Sequence, residues 1–534
     1  MRPLLVAVML FALSANAARA VTAANADPPA GILVTQMSLS KILALHKIAV
    51  GQAPSSACAT TITWFFSMGD LQGKKIIVSS GDDYREDTSL GPFHSARGSY
   101  RGQEWDQNAN GLTVLGSGIH RRDEINKEAL RHALVSGSGV TLLGQVLVPR
   151  AAYVVRVAPP NGRVEYVYYD KDSYLIVRTE RAVEDQRVVT TYEDFHTTNG
   201  ARWAWHVHET DGRPYNDNDW ALESFNDKTP VDPAIFQPPP SDASHFTLAA
   251  PKVVLPGKIL ADRIILTAQM GGHKVDFQLD SGASQILLDK SVADALHFPA
   301  YGAQTETTAG TYTITRSLVP RIDFGGAALE NVAVYTAPFH QWADESTPVA
   351  GLLGYDFIAN CVLHVDYLHG EADVLSPSSF QPPANAFAVP IRLEDRVPAI
   401  DVKISATTSD RFILDTGADR SALFSAFVTA HPNAAADQGL GEQFIEAYPF
   451  LSGVSGVGGE ISVTHTQVPS LSIGPVTFPR WLFSVVHDAP AFEGEDYDGL
   501  IGQDVLRNFD IYLDYQRSKI YFVPNDRYRE RWGT

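Results

Sequence analysis

The second half of this 534-residue chain repeats itself, and a chain that carries one unit twice is constrained to fold that unit twice. FQLDSGA, Phe277 to Ala283, matches FILDTGA, Phe412 to Ala418, and a proline precedes each aspartate by a similar stretch, Pro256 by 24 residues and Pro390 by 25. Further on, Ile322, Phe324 and Gly325 match Leu471, Ile473 and Gly474. AGLLGYDFIANCVLHVDY, Ala350 to Tyr367, then matches DGLIGQDVLRNFDIYLDY, Asp498 to Tyr515, setting Gly354 on Gly502, Asp356 on Asp504, Asn360 on Asn508 and Asp366 on Asp514. A single Asp-[Ser/Thr]-Gly arises by chance in about one chain in four of this length. Two copies, each behind an apolar strand and each followed at a comparable distance by an apolar pair and Gly, are a much rarer coincidence.

The pairing of D-[ST]-G-A with a downstream hydrophobic-hydrophobic-Gly resembles the retropepsin and pepsin aspartic peptidases, over roughly Val253 to Val523. The resemblance implies a bilobal pair of β-barrels in which Asp280 and Asp415, one from each lobe, hold a water between them. One carboxylate takes a proton from that water while the other, protonated, polarises the scissile carbonyl. Like charges that close cannot both ionise, so the pair titrates as a unit; pepsin-type enzymes are the standard example of this. Ser281 and Thr416 supply hydroxyls able to bond across the lobe junction. Gly282 and Gly417 remove Cβ where backbone must approach a carboxylate. Gly354 and Gly502, with their apolar neighbours, would pass beneath the catalytic loops and buttress them.

Substrate-covering hairpins in such enzymes lie between the two motifs. The candidates here are Ala309 to Thr313, with Gly310, and Gly453 to Gly459, with Gly456 and Gly458. The span from aspartate to later glycine is 45 residues for Asp280 and Gly325 but 59 for Asp415 and Gly474, so the cleft is expected to be asymmetric. Ala283 and Ala418 stand where pepsins carry a hydroxyl residue. One donor fewer near the dyad favours the ionised form less, which points to an optimum nearer mildly acidic pH than pepsin's.

Upstream, a stretch with Pro230, Pro233 and Pro238-Pro239-Pro240 marks a boundary, and Pro382-Pro383 marks another. The expected organisation is a signal peptide at 1–20, an N-terminal domain at 28–240, a linker at 241–256, and lobes at 257–381 and 385–534. The N-terminal domain reads as a helix over Leu39 to Val50, a second near Asp123 to Val135, and a run of strands from Lys74 to Glu209 with tight turns at Asn161-Gly162 and Asn199-Gly200. Its order of elements, in YVYYDKDSYLIVRTE, VVTTYEDFHTTNGARWAWHV and AIFQPPP, resembles the half-barrel of periplasmic lipoprotein-sorting carriers. The fold class is therefore mainly β: an α+β curved antiparallel sheet followed by the bilobal pair. A lipid or lipoprotein ligand at the N-terminal domain follows from that resemblance.

Arg2, the apolar run Leu4 to Leu13, and the small-residue patterns Ala15-Asn16-Ala17 and Ala18-Arg19-Ala20 read as a secretory leader, so the protein is expected to be exported, periplasmic or extracellular. No later run is long enough to span a bilayer. A formal charge of −19 leaves no cationic surplus for phosphates, which excludes nucleic acid as an expected partner. Of the two cysteines, Cys361 aligns with Phe509 in the repeat and reads as a buried small apolar residue, which disfavours a bridge to Cys58. His206 and His208 share a strand face without a third ligand nearby, so a solvated face is the better reading than a metal site. The functional expectation is a monomeric endopeptidase acting on polypeptide, with no metal or organic cofactor. The rival is a lipid-, lipoprotein- or peptide-binding protein with a non-catalytic protease-like half.

Overall fold

A computed structural model describes residues 28–533 except 52–58, 117–124, 127–128, 131–138, 161, 184–185, 199, 214, 231, 261–262, 308–310, 339–347, 436–452, 457–458 and 487–496. The proposed leader, Cys58 and the flap residues Gly310 and Gly458 lie outside the described residues. The protein is mainly β and divides into two compact units, one holding the described residues up to Pro240 together with Tyr301–Thr305, the other holding Ser241–Ala300 and the described residues from Glu306 onward.

In the first unit, a twelve-residue helix, Leu39–Val50, starts where the Ser38 hydroxyl accepts from the Lys41 N–H and stops at Gly51, whose φ of 88° few other residues adopt. Of the second expected helix, Ile125, Asn126, Ala129 and Leu130 are helical and the remainder falls outside the described residues. The strands form one antiparallel sheet of two meanders. The first runs outward from Ala59–Met68 to Thr113–Leu115. The second enters at the opposite edge with Val140–Val146 and returns inward until Asn218–Thr229 pairs with Ala59–Met68. Sequence reading found the second meander except its last strand, Asn218–Thr229. It found only Leu71–Ser80 of the first, whose outer strands carry charged and small residues in place of apolar runs.

The helix buries Ile42 and Leu43 against Val155, Val157, Val167 and Tyr169, an apolar end of the sheet. Elsewhere the sheet buries charge. Glu86 is ion-paired with Lys75 and, at 2.9 Å, with Arg97, and Glu209 accepts from Arg181 at 2.9 Å; both glutamates are under 5% exposed. Tyr301–Thr305, which sequence order places in the first repeat, is part of this unit. Asp70 accepts from its Gly302 N–H at 3.0 Å, while Asn216 both accepts from the Thr305 N–H and donates to the Thr305 carbonyl at 2.8 Å.

The second unit contains the repeat, folded twice with the same topology. In the first copy His273–Leu279 runs parallel to Gly351–Leu353, and Leu287–Asp289 parallel to Ala327–Ala337. In the second copy Thr407–Leu414 runs parallel to Gly499–Ile501, and Ala422–Phe424 parallel to Val476–Val486. The copies are joined where their late strands, Val362–Asp366 and Phe509–Asp514, pair antiparallel, so one sheet is continuous through both lobes. Cys361 is a buried free thiol in the turn before that junction.

Breaking the Glu86 ion pair leaves the Lys75 ammonium buried without its nearest carboxylate, so Glu86→Ala should cost the first unit about 3–5 kcal/mol, read as a shift in denaturant midpoint. The exposed pair Lys74 and Glu223, bonded at 2.7 Å, is the control: Lys74→Ala should change stability by less than about 1 kcal/mol. Equal effects from the two substitutions would contradict a buried role for Glu86.

Candidate active site

Each lobe delivers its aspartate at the end of an apolar strand that a parallel partner holds. The Asp280 N–H donates to the Leu353 carbonyl at 3.1 Å, and the Asp415 N–H to Ile501 at 2.9 Å. The loops that follow are locked to each other across the lobes. The Ser281 hydroxyl donates to the Leu414 carbonyl at 2.7 Å and accepts from the Thr416 N–H at 2.9 Å. In return the Thr416 hydroxyl accepts from the Ser281 N–H at 2.9 Å and donates to the Leu279 carbonyl at 3.3 Å. All four groups are buried, where an unmade bond costs about 1–3 kcal/mol.

The glycines show how close the two carboxylates come. A Cβ added to Gly282 would stand 2.7 Å from Asp415 Cγ, and one added to Gly417 would stand 2.5 Å from Asp280 Cγ. Each carboxylate therefore lies over the glycine of the opposite lobe, an approach that a side chain at either position forbids. Gly354 and Gly502 are equally constrained from below. A Cβ on Gly354 would meet the Ala283 carbonyl oxygen at 2.3 Å, and one on Gly502 the backbone of Arg420 at 2.7 Å. Both later segments are tied to the loops they support, the Tyr355 N–H to the Ala283 carbonyl at 3.0 Å and the Gln503 N–H to Ala418 at 2.8 Å.

The recurring acidic residues have support roles. Asp356 accepts from the Ile286 N–H at 3.0 Å, and Asp504 from the Ser421 N–H at 2.9 Å and hydroxyl at 2.7 Å, each pinning the chain just beyond its catalytic loop. Asp366 accepts from Leu368 and His369 N–H groups, and Asp514 from Arg517, as turn residues do.

Asp280 and Asp415 are both fully buried. Burial, then the charge of Asp415, pushes the Asp280 carboxyl well above the usual carboxylate range. Burial also raises Asp415, to about 6, while the N–H groups of Gly417 and Ala418, 2.7 and 3.1 Å from its Oδ1, hold it down. Two N–H groups thus converge on Asp415 Oδ1 and favour its ionised form.

Among the flap candidates, Gly453–Gly456 pairs with the start of Gly459–Ile473 as a hairpin that places Gly456 at its last paired position. In the first copy Tyr301–Thr307 and Thr311–Asp323 flank residues 308–310. Three participants escaped sequence reading. Arg263 clamps Asp419 with two bonds, 2.9 and 2.8 Å, and Gln278 and Gln503 reach the second catalytic loop. Gln278 carried a signal, since it is the one polar residue in FQL where the second copy reads FIL. His206 and His208 face Asp219 and Glu193 on an open strand face, and among the described residues no group of three or more His, Cys, Asp or Glu is placed to hold a metal.

A family model described as aspartyl protease matches residues 266–357, a stretch that contains Asp280 and Gly354. No curated protein matches the chain. Among solved structures, a LolA superfamily protein from Nitrosomonas europaea is similar at 10% identity and TM-score 0.29, covering 38% of this chain and 98% of its own. A putative outer membrane lipoprotein-sorting protein domain from Vibrio parahaemolyticus is similar at 10% and 0.28, covering 37% and 95%. A DUF1329 family protein from Desulfovibrio piger is similar at 14% and 0.28, with the same coverage. Among the described residues no helix is long and apolar enough to cross a membrane.

A carboxyl that titrates higher in the folded chain than in the unfolded one contributes stability that is full below the unfolded value and is lost as pH rises through the folded one. For Asp415 that window runs from 3.8 to about 6, and Asp280 extends it upward. Asp280→Asn should therefore melt a few degrees above the parent at pH 7 and lose less stability between pH 4 and pH 7. Parallel melting curves for the two proteins across that range would contradict carboxyls raised by burial at this junction.

Proposed function

We propose that the chain is an aspartic-type endopeptidase that hydrolyses polypeptide with both half-sites in one chain, so that a monomer suffices. The observation that carries this reading is the pair itself: two buried carboxylates at equivalent points of a duplicated lobe, each seated over the glycine of the opposite loop. In the proposed reaction Asp415, ionised, takes a proton from a water held between the carboxylates. The water oxygen forms a bond to the scissile carbonyl carbon as Asp280 donates its proton to the carbonyl oxygen. The gem-diol so formed collapses as Asp415 gives its proton to the nitrogen, the C–N bond breaks, and one diol hydroxyl returns its proton to Asp280 as the carboxyl C=O forms, releasing the amine and restoring the pair. The base must be ionised and the acid protonated, so activity rises as pH increases through about 6 and falls once the pair loses its shared proton.

The aspartyl-protease match supports the first lobe's part in this reading, and the second lobe's equivalent loop and buttress support its own part. The test is cleavage of a peptide library by the full chain. Asp280→Asn and Asp415→Asn should each lower kcat/KM by roughly 10²–10⁴-fold. Retention of parental cleavage by both variants, or an optimum in strongly acidic solution, would sink the proposal.

A further inference from the structure

The two lobes have the same backbone but not the same surroundings for their carboxylates. Behind Asp415 stand two glutamine side chains. Gln278, from lobe one, is nearly buried and donates its amide N–H across the junction to the Gly417 carbonyl at 3.0 Å. Gln503, fully buried in the first turn beneath lobe two's own loop, donates to the Thr416 carbonyl. Those two carbonyls belong to the peptide groups whose N–H ends bond Asp415 Oδ1, the Thr416–Gly417 peptide through Gly417 and the Gly417–Ala418 peptide through Ala418. An amide that accepts at its oxygen becomes a better donor at its nitrogen, so each glutamine feeds a two-step chain that ends on one carboxylate oxygen.

Lobe one has no such arrangement at the matching positions. The counterpart of Gln278 is Ile413, and the counterpart of Gln503 is Tyr355, whose ring stacks on Tyr515 at 5.8 Å. The N–H groups of Gly282 and Ala283 lie near enough to favour an ionised Asp280, but neither of its carboxylate oxygens has a hydrogen-bond partner among the described residues, whereas Asp415 Oδ1 accepts from two N–H groups.

We infer that Gln278 and Gln503 are positioning residues that divide the labour of the pair, aiming and polarising the Gly417 and Ala418 N–H groups so that Asp415 stays ionised and Asp280 carries the shared proton. This rests on the acid–base reading above. The other titratable groups that act on Asp415 are Asp280 across the junction, Asp419 on its own loop, and Tyr515 behind it beside Tyr355. Asp419 opposes ionisation but is held by Arg263, and both phenols are buried and kept neutral, so neither offsets the glutamines.

The test uses the full chain carrying ¹³C-labelled aspartate, with Asp280→Asn and Asp415→Asn to assign the two carboxyl signals. Gln278→Met and Gln503→Met keep volume but remove the donor. Each should move the Asp415 titration, and with it the acidic limb of kcat/KM, upward by about one pH unit, about tenfold in proton affinity. If either glutamine variant fails to fold, Ile413→Gln in the parent decides instead, since it places an amide behind Asp280 and should draw that carboxyl downward. Melting temperatures that change while both titrations hold still would mean the glutamines only fill the junction, and would overturn the inference. A parent that cleaves no peptide but whose Asp415 titration shifts as stated would leave this inference standing and remove the peptidase reading. Unmoved titrations in a parent that cleaves would do the reverse.

Discussion

Holding two carboxyl groups against each other away from water is the constraint on which the bilobal unit depends. Burial and mutual repulsion both oppose ionisation, and neither group can relax outward because each lies over a glycine of the other lobe. The arrangement persists because its cost is met by bonds that only a closed junction can make. The reciprocal bonds of Ser281 and Thr416 exist only when the loops face each other, and the pairing of Val362–Asp366 with Phe509–Asp514 runs one sheet through both lobes. The glycine-bearing segments beneath complete the frame. Gly354 and Gly502 let a strand end pass against the loop backbone, and Asp356 and Asp504 then tie down the residues that follow.

Duplication supplies this symmetry, and acid–base catalysis requires that it be broken. A perfectly two-fold pair has no reason to keep its proton on one side. The departures from the repeat cluster around the second loop. Asp419 is clamped by Arg263 where lobe one has Ser284, and amides at Gln278 and Gln503 stand opposite Ile413 and Tyr355. Each is a single-residue difference within a conserved backbone path, so asymmetry of chemistry was added without disturbing symmetry of fold.

The first unit solves a different problem. Its sheet is long and strongly polar, and it buries Glu86 and Glu209 by pairing them with Lys75, Arg97 and Arg181 instead of excluding charge. Those strands were hard to read from sequence for the same reason. Asp83–Leu90, for example, places Glu86 on the face that ends up covered, so the period-two pattern of apolar and polar residues that marks a half-buried strand is blurred. The second meander's core strands, Ala152–Val157 and Glu165–Asp170, are near-continuous apolar runs buried on both faces and were legible for that reason.

In the candidate site, spacing alone singled out Asp280, Asp415 and the four glycines around them as candidates, because a repeat fixes equivalent positions before any coordinates exist, and the fold brings them together. Sequence likewise placed the hydroxyls of Ser281 and Thr416 at the junction. It did not distinguish the two carboxylates, since both motifs read as Asp, hydroxyl, Gly, Ala. What stands behind each carboxylate was decided by tertiary structure. Gln278 lies 139 positions from the carbonyl it holds and Gln503 lies 87, and only the packed junction brings either to the second loop. A chain encodes which groups it carries and in what order. Which of two identical groups keeps a proton depends on the fields of residues far along the chain, and these act only at the short distances that folding creates.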